Sequence, residues 1–198
     1  MRAARAALLL SLLLATPTGT ASAQRDLPAG RIVEGTLSFD GHATVGDFTG
    51  TTTTVRGEMT AGELSAVRGW VETPVKTLDT GDRKRDKDLN KSMESDRYPA
   101  IRFDLIRAVP GAAHGDTIDV TLLGTFRIHG VARADTIPAT VVLSGERVRV
   151  RGETPLNLKD YRIGGLSKGL GILRVQEEIL VRLDLTFAQL PVRDTAAR

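Results

Sequence analysis

Apolar and polar residues alternate with a period of two along much of this chain, which predicts strands with one buried and one wet face. The clearest run sets Ile179, Val181, Leu183, Leu185 and Phe187 against Leu180, Arg182, Asp184 and Thr186. A second places Ile118, Val120, Leu122, Gly124, Phe126 and Ile128 on one face. A third opposes Val148, Val150, Gly152, Thr154, Leu156 and Leu158 to Arg147, Arg149, Arg151 and Glu153. Weaker alternation predicts strands near residues 32–39, 51–60, 66–76, 100–108 and 131–143, about eight in all. Turn residues separate them: Gly111 and Gly115 bracket one hairpin, His129-Gly130 a second, and Ser144-Gly145-Glu146 a third.

Helical periodicity is confined to residues 82–93. Asp82 suits the N-cap, Leu89 and Met93 fall four apart on one face, and Tyr98-Pro99 stops the helix. About eight amphipathic strands without a layer of helices form either a sandwich with a solid core or a closed barrel. An eight-stranded barrel has an interior wide enough for one small ligand. The alternation alone does not separate a filled interior from a hollow one.

The N-terminus changes the picture. Two arginines at Arg2 and Arg5 precede the apolar run AALLLSLLLA, and Ala21-Ser22-Ala23 fits a signal-peptidase site. The run is shorter than the roughly 20 residues that span a bilayer. The expected organisation is a signal peptide over residues 1–23, a flexible lead-in over 24–30, the barrel over 31–189 and a C-terminal tail over 190–198. The mature protein is expected not to span a membrane. The chain has no cysteine, which removes disulfides, thiolate metal sites, thiol catalysis and a lipid-anchored cysteine. Taking Arg2 and Arg5 from 27 basic residues leaves 25 against 24 acidic ones, a net charge of +1. That balance gives no basic surface of the kind nucleic-acid binding uses.

Three segments carry a resemblance. LDTGDRKRDKDLNKSMESDRYPAIRF, from Leu78 to Phe103, combines a Thr-Gly turn, an Arg-Asp pair, an apolar helix residue and Tyr-Pro-x-Ile-x-Phe opening a strand. GTFRIHGV, from Gly124 to Val131, ends a strand at His-Gly-Val and returns as a hairpin. LKDYRI, from Leu158 to Ile163, is followed after a loop by VQEEI, from Val175 to Ile179. Together they resemble the YceI-like family in order and spacing over residues 32–188. The resemblance implies an all-β, extended eight-stranded antiparallel, lipocalin-like barrel with one short helix between strands. It also implies an elongated apolar tunnel for a polyisoprenoid or similar lipid tail, and a periplasmic or secreted location. Barrels of this kind pair through exposed surfaces, so a homodimer is compatible with the resemblance.

The candidate tunnel wall is then Ile118, Val120, Leu122, Phe126, Val148, Val150, Ile179, Val181, Leu183, Leu185 and Phe187. Candidates for contact with a ligand head group are Arg83, Arg85, Asp86 and His129; the family's Arg-Asp pair maps onto Arg85-Asp86. The run RKRDKD also reads as a solvated helix face with local ion pairs, and His129 as a turn residue bonded to nearby backbone. His42, His114 and His129 fall in three separate turns, a poor spacing for a metal site. Lys168 precedes Gly169 in GGLSKGLGIL, so the phosphate-loop pattern fails; the glycines of residues 164–173 suit a lid over the tunnel. There is no G-x-S-x-G motif, and Glu177 and Glu178 point to opposite faces of a strand. The expectation is therefore a non-catalytic carrier of an isoprenoid or fatty-acyl lipid, without cofactor or metal. The competing readings are a barrel with a filled interior and a partner-binding rim, and an enzyme using His129 or the Arg83–Asp86 group.

Overall fold

The computed structural model describes residues 26–44, 46–164, 167–168 and 173–189. Its strands are β1 (Gly30–Ala43), β2 (Gly46–Thr52), β3 (Arg56–Met59), β4 (Gly69–Pro74), β5 (Ala100–His114), β6 (Thr117–Ile128), β7 (Val131–Ser144), β8 (Arg147–Asn157) and β9 (Glu178–Ala188). The α-helix α1 (Arg83–Ser92) links β4 to β5. Every pairing among these strands is antiparallel. Neighbours follow the order β1, β3, β4, β5, β6, β7, β8, β9, and β9 pairs back onto β1 from Leu180↔Asp40 to Ala188↔Arg31. The sheet is thus a closed eight-stranded barrel with one helix, and closure removes the sheet edges that a sandwich would leave.

The strand expected over residues 51–60 is two. β2 pairs with the C-terminal half of β1 and β3 with its first residues, so together they fill one strand position. The break is local chemistry: the hydroxyl of Thr52 accepts the N–H of Thr54 at 3.0 Å, and that donor is withdrawn from the ladder. Around β4, the 3₁₀ turns Leu64–Ala66 and Val75–Thr77 replace the ends of the strand expected over 66–76. β5 runs on to His114 through two irregularities in register, so Gly111 lies inside a strand and Gly115 and Asp116 form the turn. His129 and Gly130 join β6 to β7 with φ of +51° and +74°, the two left-handed residues of a type I′ hairpin turn. The lead-in expected to be flexible is pinned from Asp26 onward: Asp26 and Leu27 pair with Glu63 and Gly62, and Leu27 is buried. Leu27 is apolar enough to be drawn under the barrel with Leu64 and Val67.

The inward faces do not pack evenly. At the end holding the start of β1 and the end of β9, Ala108, Ile137, Val141, Val148 and Leu185 are each 1–2% exposed. Phe187, Met59 and Leu27 complete this filled half. Outside, the polar faces of β8, β9 and β1 carry ion pairs: Asp184 accepts from Arg149 and Arg151, and Arg182 bridges Asp40 and Glu153.

A candidate ligand-binding cavity

The other half of the barrel is hollow. It encloses a cavity of about 520 Å³, within the range typical of small-molecule sites. Strand alternation supplies the wall: Leu37 and Phe39 from β1, Phe48 from β2, Ile101 from β5, Phe126 and Ile128 from β6, Leu156 from β8, and Ile179 and Val181 from β9. α1 lies across the opening. Asp82 caps it, its side chain accepting the N–H groups of Lys84 at 2.8 Å and Arg85 at 3.1 Å. Those bonds, Arg85's first and Lys84's second, hold the Asp82 carboxyl below the usual carboxylate range. With its first turn fixed, the helix turns Leu89 and Met93 toward the hollow. Tyr161 and Ile163, after the 3₁₀ turn Leu158–Tyr161, close one side. Burial pushes the Tyr161 phenol up to about 12, and the charge of Asp135 adds to the effect.

The base of the hollow is aromatic. The rings of Phe126 and Phe103 lie 4.7 Å apart, and Phe103 presses on Gly124, where a β-carbon would stand 2.3 Å from its ring. Beneath them begins the filled half. The rim is polar, with Asp47, Asp82, Lys84, Arg85 and Asp88 at the opening. The Arg85 guanidinium sits 4.6 Å above the centre of the Phe48 ring and donates to the carbonyl of Thr80 at 3.3 Å. The site is therefore a greasy cup with Lys84 and Arg85 at its lip, Arg85 held over the Phe48 ring.

The expected wall residues divide between the two halves. Phe126, Ile179 and Val181 border the cavity. Val120, Leu122, Val148, Leu185 and Phe187 are buried, and Ile118, Val150 and Leu183 half-buried, away from the cavity. Their inward orientation is set by the pleat, but neighbouring side chains occupy the space in front of them. Of the head-group candidates, Arg85 reaches the rim. Arg83 is exposed, and Asp86 is turned back onto Thr80, accepting from its N–H at 2.9 Å and its hydroxyl at 2.6 Å.

His129 is buried behind the wall. Its Nδ1 is 2.9 Å from the carbonyl of Tyr161, so Nδ1 carries the proton and donates. Its Nε2 is buried 3.3 Å from a Glu94 carboxylate oxygen, without hydrogen-bond geometry, and its ring meets Tyr98 edge-on at 4.7 Å. Glu94, His129 and Arg162 are the three non-glycine residues of the described chain with left-handed backbone. His129 touches Glu94 directly and Arg162 through its neighbour Tyr161. It therefore ties the end of α1 and the Tyr161 turn to the barrel. The segment 164–173, expected to form a lid, lies largely outside the described residues; Ser167–Lys168 pairs with Leu173–Arg174, and Val175 bridges Ala43.

Sequence pattern alone left out Leu37, Phe39, Phe48, Ile101, Leu89 and Met93. The helix pair was visible as an i, i+4 couple facing something apolar; what it faced was not. A larger depression, about 820 Å³, crosses the outer face between β5 and β1. It is broad, and four of its five charged residues, Arg151, Glu153, Arg182 and Asp184, are already engaged with one another, Asp119 being the fifth. The inner cavity, apolar and walled on most sides, is the better binding site. Among the described residues no group of three or more His, Asp or Glu could hold a metal ion, and no helix is long and apolar enough to cross a membrane.

A closed eight-stranded barrel, filled at one end and opening at the other into an apolar cup under a helix, places the protein among lipocalin-like barrels. The chain belongs to the YceI-like domain family, which it matches over residues 33–187. The fold is shared with a polyisoprenoid binding domain from Saccharophagus degradans implicated in plant cell wall breakdown. The two are 18% identical, with a TM-score of 0.69 over 83% of this chain and 99% of that one. Burkholderia cenocepacia BcnA is also similar, at 18% identity and a TM-score of 0.63 over 77% of this chain and 95% of that one. The Campylobacter jejuni YceI protein is 12% identical, with a TM-score of 0.52 over 63% of this chain and 73% of that one. No curated protein sequence matches the chain significantly.

Proposed function

We propose that this protein binds a lipid with one apolar chain inside the barrel and carries it through an aqueous compartment without chemical change. The apolar cup of about 520 Å³ carries the reading. Burying a hydrocarbon chain there gains about 0.8 kcal/mol per methylene, so affinity needs little polar contact. The polyisoprenoid-binding domain that shares the fold supports a lipid as the ligand class. The filled-interior alternative requires a solid barrel throughout, and the half under α1 is hollow. Arg85, at the lip, is the group placed to meet a polar head.

The proposal includes export, with residues 1–23 as the removed signal and Gln24 as the first mature residue. N-terminal sequencing of protein recovered from outside the cytoplasm should begin at Gln24; a chain still starting at Met1 would count against export. Lipid binding is tested by mass spectrometry of organic extracts of the purified protein. A stoichiometric apolar compound, lost on Met93→Trp or Val181→Trp, is the expected result. An empty extract, together with no uptake of added prenyl or fatty-acyl lipid, would overturn the reading.

A further inference from the structure

We infer that the cup is blind and measures its ligand: it accepts a single short prenyl or fatty-acyl chain and rejects long polyisoprenoids, with Phe126 and Phe103 as the stop. The inference rests on the lipid-binding reading and narrows its ligand class. A tunnel suited to a long chain would use the inner face along the full length of β6, β8 and β9. Here that face is divided. Val181 borders open space, whereas Leu185, four residues further along the same strand and on the same face, is 1% exposed and Phe187 is 6% exposed. On β6, both Phe126 and Leu122 belong to the buried core, but Phe126 borders the cavity and Leu122 does not.

The division is structural, because the protein's own residues fill the far half from below. Leu27 enters from the N-terminal segment, which Asp26 and Leu27 bind to Glu63 and Gly62, and with Leu64 and Val67 it belongs to the buried core. A ligand tail reaching past Phe126 would have to displace Phe103, whose ring already occupies the space above Gly124. Size agrees with shape. The wall reaches two inward positions along β6 (Phe126 and Ile128) and two along β9 (Ile179 and Val181), about 7 Å of strand at about 3.3 Å per residue. That depth suits one short prenyl or fatty-acyl chain and leaves most of a solanesyl chain outside.

The test is competition against phosphatidylcholine vesicles, with the purified protein offered geraniol, farnesol, geranylgeraniol or solanesol and the bound alcohol read by native mass spectrometry. In this format each carbon that cannot enter the cup stays in water when it could lie in the bilayer, so protruding chains lose. Occupancy should be highest for farnesol or geranylgeraniol and at least about tenfold lower for solanesol. Phe126→Ala should move the optimum to longer chains, and Val181→Phe, which fills the hollow from the facing wall, should move it to shorter ones. If Phe126→Ala does not fold, the wild-type series and Val181→Phe still decide. Solanesol retained as well as farnesol, with no shift in Val181→Phe, would overturn the measuring stop and leave lipid binding standing. Retention of none of the alcohols would overturn lipid binding itself, and the stop with it.

Discussion

The two halves of this barrel are built from the same strands and the same alternation, yet one is a core and the other a container. Leu185 is sealed at 1% exposure, while Val181, on the same face of the same strand, borders a cavity. What separates them lies elsewhere in the chain. The filled half receives Leu27, Leu64 and Val67 from segments outside the barrel wall. The hollow half is covered by α1, which offers Leu89 and Met93 but stays across the opening without entering it. An inward-facing residue is therefore part of a core only where something arrives to pack against it.

The sharpest way to break this comparison is to truncate the filled half. Leu185→Ala should lower stability by about 2–5 kcal/mol, because it leaves a void in a packed region. A loss under about 1 kcal/mol in urea unfolding would mean that this half is not filled. Next in size, an apolar chain entering the hollow half should stabilise the fold by about 2.7 kcal/mol at a concentration one hundred times its Kd. The effect should appear as a raised Tm that Val181→Trp abolishes. Gly130→Ala should cost about 1–2 kcal/mol for a left-handed alanine. Its φ is +74°, and the added β-carbon would meet the Tyr98 ring at 2.5 Å, so the same variant should loosen the tie between α1 and the barrel. Faster amide exchange in α1 would report that loosening. Val181→Ala, bordering empty space, should cost below about 1 kcal/mol, and its contrast with Leu185→Ala is the comparison in its simplest form.

The smallest effect is electrostatic and lies on the outer wall. The hydrogen bond from Arg149, with that from Arg151 added, holds the Asp184 carboxyl below its usual range. A carboxylate depressed on folding contributes stability that is complete above its unfolded value of about 3.9 and is lost as pH falls through the lower folded value. The pair is partly exposed, so the contribution is small and weakens with salt. Wild type should lose slightly more of its urea midpoint than Asp184→Asn between about pH 6 and about pH 3. Equal losses would show that the pair is idle.

Much of the architecture was legible before any coordinates. The runs ending in Phe187, Ile128 and Leu156 are strands because a two-residue repeat of apolar side chains cannot be buried by a helix. His129-Gly130 and Gly145-Glu146 announced tight turns, and Asp82 announced the helix start. The break between β2 and β3 was not legible, since it depends on one threonine hydroxyl taking a backbone donor. The wall of the cavity was only partly legible. Phe126, Ile179 and Val181 follow from the pattern, but Phe48, Ile101 and Met93 come from separate segments that meet only in the fold.

The sequence by itself determined which side chains face inward, where the hairpins turn and where α1 begins, because each depends on residues within a few positions of one another. The tertiary structure alone decided that β9 closes onto β1, that Leu27 tucks under one end and that α1 spans the other. Those contacts join residues far apart in the chain. Whether an inward face becomes core or cavity depends on how much volume such distant segments deliver, and periodicity carries no information about volume.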